Sequence, residues 1–405
     1  MTTKLHPLIK QPTILCSECE NAFPGIFKQI EIERGKLEKV VKWLPHTYSH
    51  VDLHVYIAMF MRDKIYRSIF DKNEPWAKSN EVLYCIKRVV TDANITGISV
   101  GSNIFKKFFL EKTYGDIYNY ACYAVTLSAW RMSGKHVLVV HDEILDIIWD
   151  DKVKLDKIPS DPLRHIPYWS AYIPVGKEFE LKSDPVNRFY TIRGILFAMM
   201  WDDKRKKELC NIILDMSLGK NERITAAQIY IEDKIDIQSQ IQNSNIILSS
   251  SENKDQITFM DLLPSLFYNA IQCMLLLSAD NIDLELNPEV KKAAPMRPQL
   301  KIGQRLYVPP QETIWNVGYR LGSKIKAARS RYYKELEQNK TGRRLPPHIR
   351  KSHWHTYLVG KGRTGKRFIF LPPIPVNMPD DPEEKIACIE RLPTTQRKVE
   401  VQKIV

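Results

Sequence analysis

The chain has 405 residues, 44% of them apolar and 26% charged, with a formal net charge of +13. This length allows two or three packed units, and this composition excludes an intrinsically disordered chain. The N-terminus lacks the apolar centre of a secretory signal, and no apolar run reaches the roughly 18 residues of a membrane-spanning helix, so we expect a soluble intracellular protein.

The positive charge is concentrated in one segment near the C-terminus. Residues 296–367 contain 18 Lys or Arg against three acids and carry +15, whereas the other 333 residues balance at −2. Basic residues repel one another, so such a cluster usually has a partner that supplies negative charge. Because aromatic residues are interleaved with the cations, we expect a polyanion, in the first place RNA. A solvated basic surface without a specific partner is the alternative.

The first 135 residues are predicted to be mainly helical. Apolar residues from Leu53 to Ile69 recur at the spacing of one helix face, which predicts a helix over 51–70. A second helix is predicted over 114–132, with an aromatic stripe that favours core packing over a binding surface.

Residues 136–286 are predicted to form a mixed α and β region packed on these helices. The polar stretch 217–261 predicts a surface loop, and the apolar run 262–278 predicts a helix. Three prolines within 287–298 predict a linker, and residues 378–405 predict a flexible tail. Short apolar runs that predict strands lie at 136–140, 168–175 and 191–199.

The seven cysteines favour free thiols in a reducing compartment, because their number is odd and several lie in apolar runs. Cys16 and Cys19 have the spacing of half a zinc ribbon, but no second Cys or His pair follows with the matching spacing. We therefore predict no metal site and no cofactor.

The basic segment, predicted as a module over 296–377, begins with a helix over 314–336. Arg320, Lys324, Arg331 and Lys334 fall within about 80° of one another on a helical wheel and form a phosphate-facing surface. Two glycines weaken the first turns of this helix, which allows it to begin only after Gly322.

A β-hairpin is predicted to follow the helix. Alternation along 352–359 places His353, His355 and Tyr357 on one face of a strand, residues 360–365 turn the chain, and residues 367–371 return. The predicted nucleic-acid-binding residues of the module are Arg320, Lys324, Arg331, Arg343, Arg344, His348, Arg350, Lys351, His353, Trp354, His355, Tyr357, Lys361, Arg363 and Lys366.

Other interpretations of the hairpin remain open. His353 and His355 are candidate catalytic residues for metal-independent cleavage of RNA, and packed, hydrogen-bonded histidines are the structural alternative. Zinc is disfavoured because no Asp or Glu lies between Gln338 and Pro379. The run Gly360–Lys366 matches the start of a phosphate-binding loop, but Arg367 replaces the Ser or Thr that would bind Mg²⁺, so a nucleotidase is rejected.

The C-terminal quarter carries a resemblance to a known family. The run P-H-I-R-K-S-H-W-H-T-Y-L-V-G-K-G, closed by L-P-P-I-P-V-N at Leu371–Asn377, resembles the C-terminal signature of type V-A anti-CRISPR proteins of phages, plasmids and other mobile elements. Trp315-Asn316-Val317-Gly318 and Tyr268-Asn269-Ala270 are similar to the same family.

The resemblance implies a protein of the bacterial host cytoplasm that recognises the nascent N-terminal peptide of a type V-A effector nuclease and causes loss of the effector mRNA. Its implied partners are that peptide and RNA or the ribosome, with no membrane. It supplies no catalytic residues, and no motif identifies the peptide-binding residues. A ribonuclease, or a phage RNA- or DNA-binding protein unrelated to CRISPR, is the alternative. The fold expected is α+β, a mixed recognition body followed by a small basic helix-plus-hairpin module.

Overall fold

The structure is a computed structural model in which most of the chain is described. The described residues are 7–36, 52–70, 114–150, 160–180, 189–202, 204–218, 221–231, 247–248, 254–288, 309–337, 348–350, 353–360, 365–371 and 374–376, with the single positions 237, 239, 290 and 362.

The N-terminal part is helical, as predicted. A short 3-10 helix, Pro7–Lys10, leads into α1, and the predicted helices over 51–70 and 114–132 are confirmed as α3 and α4. From Ala121 to Trp130 every side chain of α4 is buried, because the sheet covers one side of the helix and α1–α3 cover the other. The bounds are α1 Gln11–Ala22, α2 Ile26–Lys36, α3 Asp52–Phe70 and α4 Tyr114–Met132.

The centre is a mixed sheet of eight strands in the order β6-β5-β4-β3-β2-β1-β8-β7. Neighbouring strands from β2 to β6 run antiparallel, β1 pairs in parallel with both β2 and β8, and β7 is antiparallel to β8. The bounds are β1 His136–Val140, β2 Ser170–Glu180, β3 Phe189–Asp202, β4 Lys207–Leu218, β5 Asn221–Tyr230, β6 Ile247–Leu248, β7 Leu284–Leu286 and β8 Thr313–Val317.

Three further helices and two small sheets complete the described fold. Helix α6 contains Pro264 and includes the whole helix predicted over 262–278, but it begins earlier, at Lys254, within the stretch predicted as a loop. The bounds are α5 Asp142–Asp150, a 3-10 helix Asp161–His165, α6 Lys254–Ser278, α7 Tyr319–Glu337, β9 His348–Arg350, β10 His353–Val359, β11 Gly365–Leu371 and β12 Ile374–Val376.

Alternating side chains of the sheet build one core on each face. Val137 and Val139 of β1 enter the core formed with α1–α4, whereas Leu138 and Val140 enter the core formed with α5, α6 and Ile325 of α7. The result is a three-layer α+β fold, which confirms the expected fold class. None of the described helices is long and apolar enough to cross a membrane.

Two sequence-based assignments were wrong. Residues 221–230 form β5 and not a surface loop, because ten residues pair with β4 and bury Ala226, Ala227 and Ile229. Residues 314–317 form β8 and not the first turn of a helix, because they pair with β1, where Trp315 Nε1 donates a hydrogen bond of 3.1 Å to His136 Nδ1. In both places the long-range pairing outweighs the local pattern.

A buried ion pair joins strands β2, β3 and β4 within the sheet. Arg193 Nε lies 2.9 Å from Asp215 Oδ1, and the Tyr172 hydroxyl donates to Asp215 Oδ2 at 3.1 Å. Burial, together with the Asp215 charge, raises the pKa of Tyr172 well above its ordinary value. Gly194 follows at a register shift in β3, where a Cβ would lie 2.2 Å from the Tyr172 ring.

The described cysteines are free thiols, mostly within the two cores. Burial raises the pKa of Cys16 and of Cys273 to about 12, so both are protonated at neutral pH. Across the described ranges, no three His, Cys, Asp or Glu side chains form a group that could hold a metal ion.

Candidate nucleic-acid interface

The basic helix α7 begins at a junction with β7 and β8. Gly318 directly follows β8 at φ +69°, a conformation that glycine adopts without strain, and its N–H donates to the Asp283 carbonyl at 2.8 Å. The Asp283 carboxylate accepts a 3.0 Å hydrogen bond from the Arg320 backbone N–H, one of the amides left free at a helix start. Asp283 therefore fixes where α7 begins.

One side of α7 is buried and the other carries cations. Ile325 is buried, and Leu321 packs against the same core. At about 100° per residue, Arg320, Lys324 and Lys334 lie roughly 140°, 100° and 180° around the helix from Ile325, and all three are exposed. The predicted cationic face therefore points away from the body.

The cations of α7 differ in their partners. Arg320 Nε lies 3.1 Å from Glu285 Oε1, and Arg329, nearer the buried side, lies 2.7 Å from Glu143 Oε2. Among the residues that the structure describes, Lys324 and Lys334 are in no ion pair. These two lysines thus present positive charge that the protein itself does not neutralise.

The β10–β11 hairpin is confirmed, and its base is anchored to the body. Trp354 and Phe370 lie opposite each other in the register, their ring centroids 4.8 Å apart, and both join the core on the α6 side of the sheet. Asn281, between α6 and β7, donates to the Phe370 carbonyl at 2.5 Å and accepts from the Phe370 N–H at 3.2 Å. Its side chain therefore satisfies both backbone groups of Phe370.

The other end of the hairpin is exposed on both faces. Tyr357, Leu358 and Val359 are 42%, 56% and 40% exposed, although successive residues of a strand point in opposite directions. His355 and Tyr357 share a face, as predicted, with ring centroids 4.2 Å apart at 59°. We call His355–Val359 the hairpin tip.

The strands β9 and β12 enclose this hairpin. Arg350 pairs with Ile374 and His348 with Val376, so the two parts of the C-terminal signature are antiparallel partners. The signature is therefore a pair of nested hairpins, with β10 and β11 inside β9 and β12 in sequence.

The predicted nucleic-acid-binding residues occupy different places. Arg320, Lys324, His353, His355 and Tyr357 are described with their side chains, and Trp354 is half-buried against Phe370. The backbone positions of Arg331 in α7, His348 and Arg350 in β9 and Lys366 in β11 are described. Outside the described residues lie Arg343, Arg344, Lys351, Lys361 and Arg363.

The candidate catalytic residues His353 and His355 differ from His141 in their surroundings. His353 and His355 are two residues apart on β10, and His355 is in ring contact with Tyr357. His141, at the end of β1, caps α5, because its Nδ1 accepts the Glu143 backbone N–H at 3.2 Å. Burial lowers the pKa of His141, against the opposing effect of Asp142 and Glu143, which favours the neutral ring that this cap requires.

The residues that support the helix and the hairpin were not predicted from the sequence. Asn281 holds the hairpin and Asp283 holds the start of α7, within the short connection between α6 and β7. The available signal was the polar run Asp280-Asn281-Ile282-Asp283 directly after an apolar helix, which is typical of a turn whose side chains bond to backbone. The partners themselves lie far away in sequence.

The fold and this surface define an α+β protein that displays a basic helix and a projecting hairpin on a three-layer body. Residues 140–378, more than half of the chain, match the anti-CRISPR type V subtype A2 family (AcrVA2-like). The chain belongs to this family, which confirms the resemblance noted from its sequence. The matched range contains β8, α7 and both nested hairpins.

Two individual proteins are similar to the chain. Protein FinQ of Escherichia coli is 23% identical over 297 residues, which cover 67% of this chain and 80% of that protein. The crystal structure of AcrVA2 aligns over 79% of this chain and 98% of its own, with 15% identity and a TM-score of 0.37.

Proposed function

We propose that this protein recognises the nascent N-terminal segment of a type V-A CRISPR effector nuclease and lowers the level of the effector by causing loss of its mRNA. Family membership supports an anti-CRISPR role, and the family match extends over the basic helix and the hairpin. The observation that carries the RNA-facing part is the pair Lys324 and Lys334, exposed on the outer side of α7 without an ion pair in the described structure.

Two parts of the molecule have separate roles, one in RNA binding and the other in peptide recognition. The outer side of α7 faces RNA, because lysines that neutralise phosphates release the counterions condensed on the RNA. The hairpin tip faces RNA with its aromatic rings. Recognition of the peptide is assigned to the three-layer body, since the sequence outside 296–367 is close to neutral and suits a protein partner better than a polyanion.

The peptide part is tested in bacteria that express a type V-A effector with and without this protein. Two altered effector genes are compared, one with synonymous codons over the first residues and one that encodes different amino acids there. We expect the mRNA of the synonymous version to fall and that of the altered peptide to persist, as measured by quantitative reverse transcription. Equal loss of both transcripts, or of neither, would contradict recognition of the peptide.

The RNA-facing part is tested by reversing charge on α7. The double variant Lys324→Glu/Lys334→Glu removes two phosphate contacts, so the slope of log affinity for RNA against log salt should fall by about two. The matched control Lys28→Glu/Lys204→Glu makes the same change in net charge at exposed positions on α2 and in the β3–β4 connection. If both double variants weaken RNA binding equally, only net charge matters and α7 is not the interface.

A further inference from the structure

The hairpin tip is exposed, although the base of the same hairpin is anchored to the body. At the base, Trp354, Phe370 and Asn281 bind the hairpin to the body. Four residues beyond Trp354, Leu358 is more than half exposed. The tip therefore extends past the surface that supports it, and apolar and aromatic side chains remain in solvent, which is unfavourable unless a partner covers them.

The two rings of the tip are in contact, and the ladder sets the spacing of the residues that carry them. His355 pairs with Ile369 and Tyr357 with Arg367 across the ladder, so the backbone spacing of the rings is set by β10 and β11 together. Their centroids lie 4.2 Å apart, and the Tyr357 ring keeps a large exposed fraction. An exposed tyrosine ring in contact with a second ring offers a face on which another aromatic group can stack.

The basic sequence of the hairpin segment indicates which kind of partner the tip binds. In the sequence, no acidic residue occurs between Gln338 and Pro379, whereas residues 361–367 include Lys361, Arg363, Lys366 and Arg367. Arg367 occupies the register position directly opposite Tyr357. Single-stranded nucleic acid is bound by aromatic rings that stack on its bases, combined with cations that neutralise its phosphates. A duplex does not fit such a surface, because its base faces are stacked and inaccessible.

We propose that the hairpin tip binds single-stranded RNA, with an unstacked base against the rings of Tyr357 and His355. This inference rests on the proposed function and deepens it, since it names the form of RNA that this surface takes. The lysines of α7 attract any RNA backbone, whereas the tip distinguishes single strands from duplexes.

The test uses the full-length protein and three fluorescent probes at one salt concentration: a 12-nucleotide oligouridine, a 12-base-pair RNA duplex and an abasic chain of the same length. Binding is measured by fluorescence anisotropy. Tyr357→Ala should weaken binding of oligouridine roughly 5- to 100-fold, the range expected for one lost base-stacking contact. Binding of the duplex and of the abasic chain should change less than about twofold, because neither presents an unstacked base.

Two variants separate the ring from general effects. Tyr357→Phe keeps the ring and should retain binding within about twofold. Tyr56→Ala, which removes a tyrosine of similar exposure (41%) from α3, should leave all three affinities unchanged. Because Tyr357 is exposed, Tyr357→Ala should melt at the temperature of the unaltered protein, and a fall in oligouridine binding then reports the lost contact.

Several outcomes would overturn the proposal. Equal affinity for oligouridine and the abasic chain would show that bases are not read. An equal loss of affinity for the duplex and for oligouridine in Tyr357→Ala would show that the tip does not distinguish single strands from duplexes. Tighter binding of an acidic peptide than of oligouridine at the tip would assign the tip to a protein partner. Loss of effector mRNA in cells is measured separately, so oligouridine binding through Tyr357 without mRNA loss refutes the proposed function and leaves the tip assignment standing.

Discussion

Asn281→Ala should release the base of the hairpin from the body. In the folded protein the Asn281 amide donates to the Phe370 carbonyl at 2.5 Å and accepts from the Phe370 N–H at 3.2 Å. Phe370 is buried, so water does not readily replace these partners. Alanine removes both bonds and leaves a buried donor and a buried acceptor without them.

The magnitude follows from these two bonds. Each contributes about 1 kcal/mol net, and an unsatisfied buried group costs about 1–3 kcal/mol, so opening of the hairpin base should become easier by about 2–4 kcal/mol. At about 1.4 kcal/mol per tenfold change, hydrogen exchange of peptides that cover β11 should accelerate roughly 30- to 1,000-fold. Hydrogen–deuterium exchange with mass spectrometry measures this directly.

Asn269→Ala is the matched control, because Asn269 donates one hydrogen bond of 3.4 Å to the Trp149 carbonyl within the body. It should leave exchange in β11 unchanged. If Asn281→Ala also leaves β11 protected to within about twofold, Asn281 does not anchor the hairpin and the packing of Trp354 on Phe370 suffices.

Three further results are expected, each from equilibrium denaturation. Asp215→Ala should destabilise the fold by about 3–5 kcal/mol, because it removes the buried carboxylate that accepts from both Arg193 and the Tyr172 hydroxyl. Stability within 1 kcal/mol of the parent would contradict this. Gly194→Ala should destabilise by about 1–3 kcal/mol or more, since its Cβ would meet the Tyr172 ring at 2.2 Å and a backbone carbonyl at 2.8 Å; a neutral effect would show that β3 shifts freely. Because the pKa of His141 is lowered in the folded protein, the stability present above the ordinary histidine pKa is lost as the pH falls through the lower folded pKa. His141→Asn should reduce this loss of stability at low pH. A pH profile of stability that is unchanged in His141→Asn would exclude His141 as the cause.

Local periodicity was sufficient where an element contains its own signal. Helix α4 and strand β1 have the predicted bounds, because apolar residues recur at helical spacing in α4 and form a short β-branched run in β1. The faces of β10 were also predictable, since side chains of a strand must alternate. His355 and Tyr357 therefore share a face while Trp354 enters the core.

Local periodicity failed where the same residues suit two structures. The spacing of Val317, Leu321 and Ile325 predicts a continuous helix, yet Gly318 divides the segment into a strand and a helix. The polar segment 221–230 contains few strand signals and becomes β5 through its pairing with β4. Both outcomes depend on an adjacent strand, about which the segment itself carries no information.

The division of the chain into a body and a basic module over 296–377 stays a prediction, but the start of that segment is shared with the body. Strand β8 lies inside the large sheet beside β1, and α7 packs one side against the α6 core. The linker predicted over 287–298 is described only in its first residues and at Val290, which is buried.

The sequence by itself determined where the charge lies, which side of α7 is cationic and which residues of the hairpin share a face, because these follow from residue identity and fixed backbone periods. The tertiary structure alone decided which of the cations remain available. Arg320 is engaged by Glu285 whereas Lys324 has no ion pair in the described part of the chain. It also decided that Asn281 anchors a strand 89 residues away. Contacts of this kind depend on how distant segments pack, which no local pattern encodes.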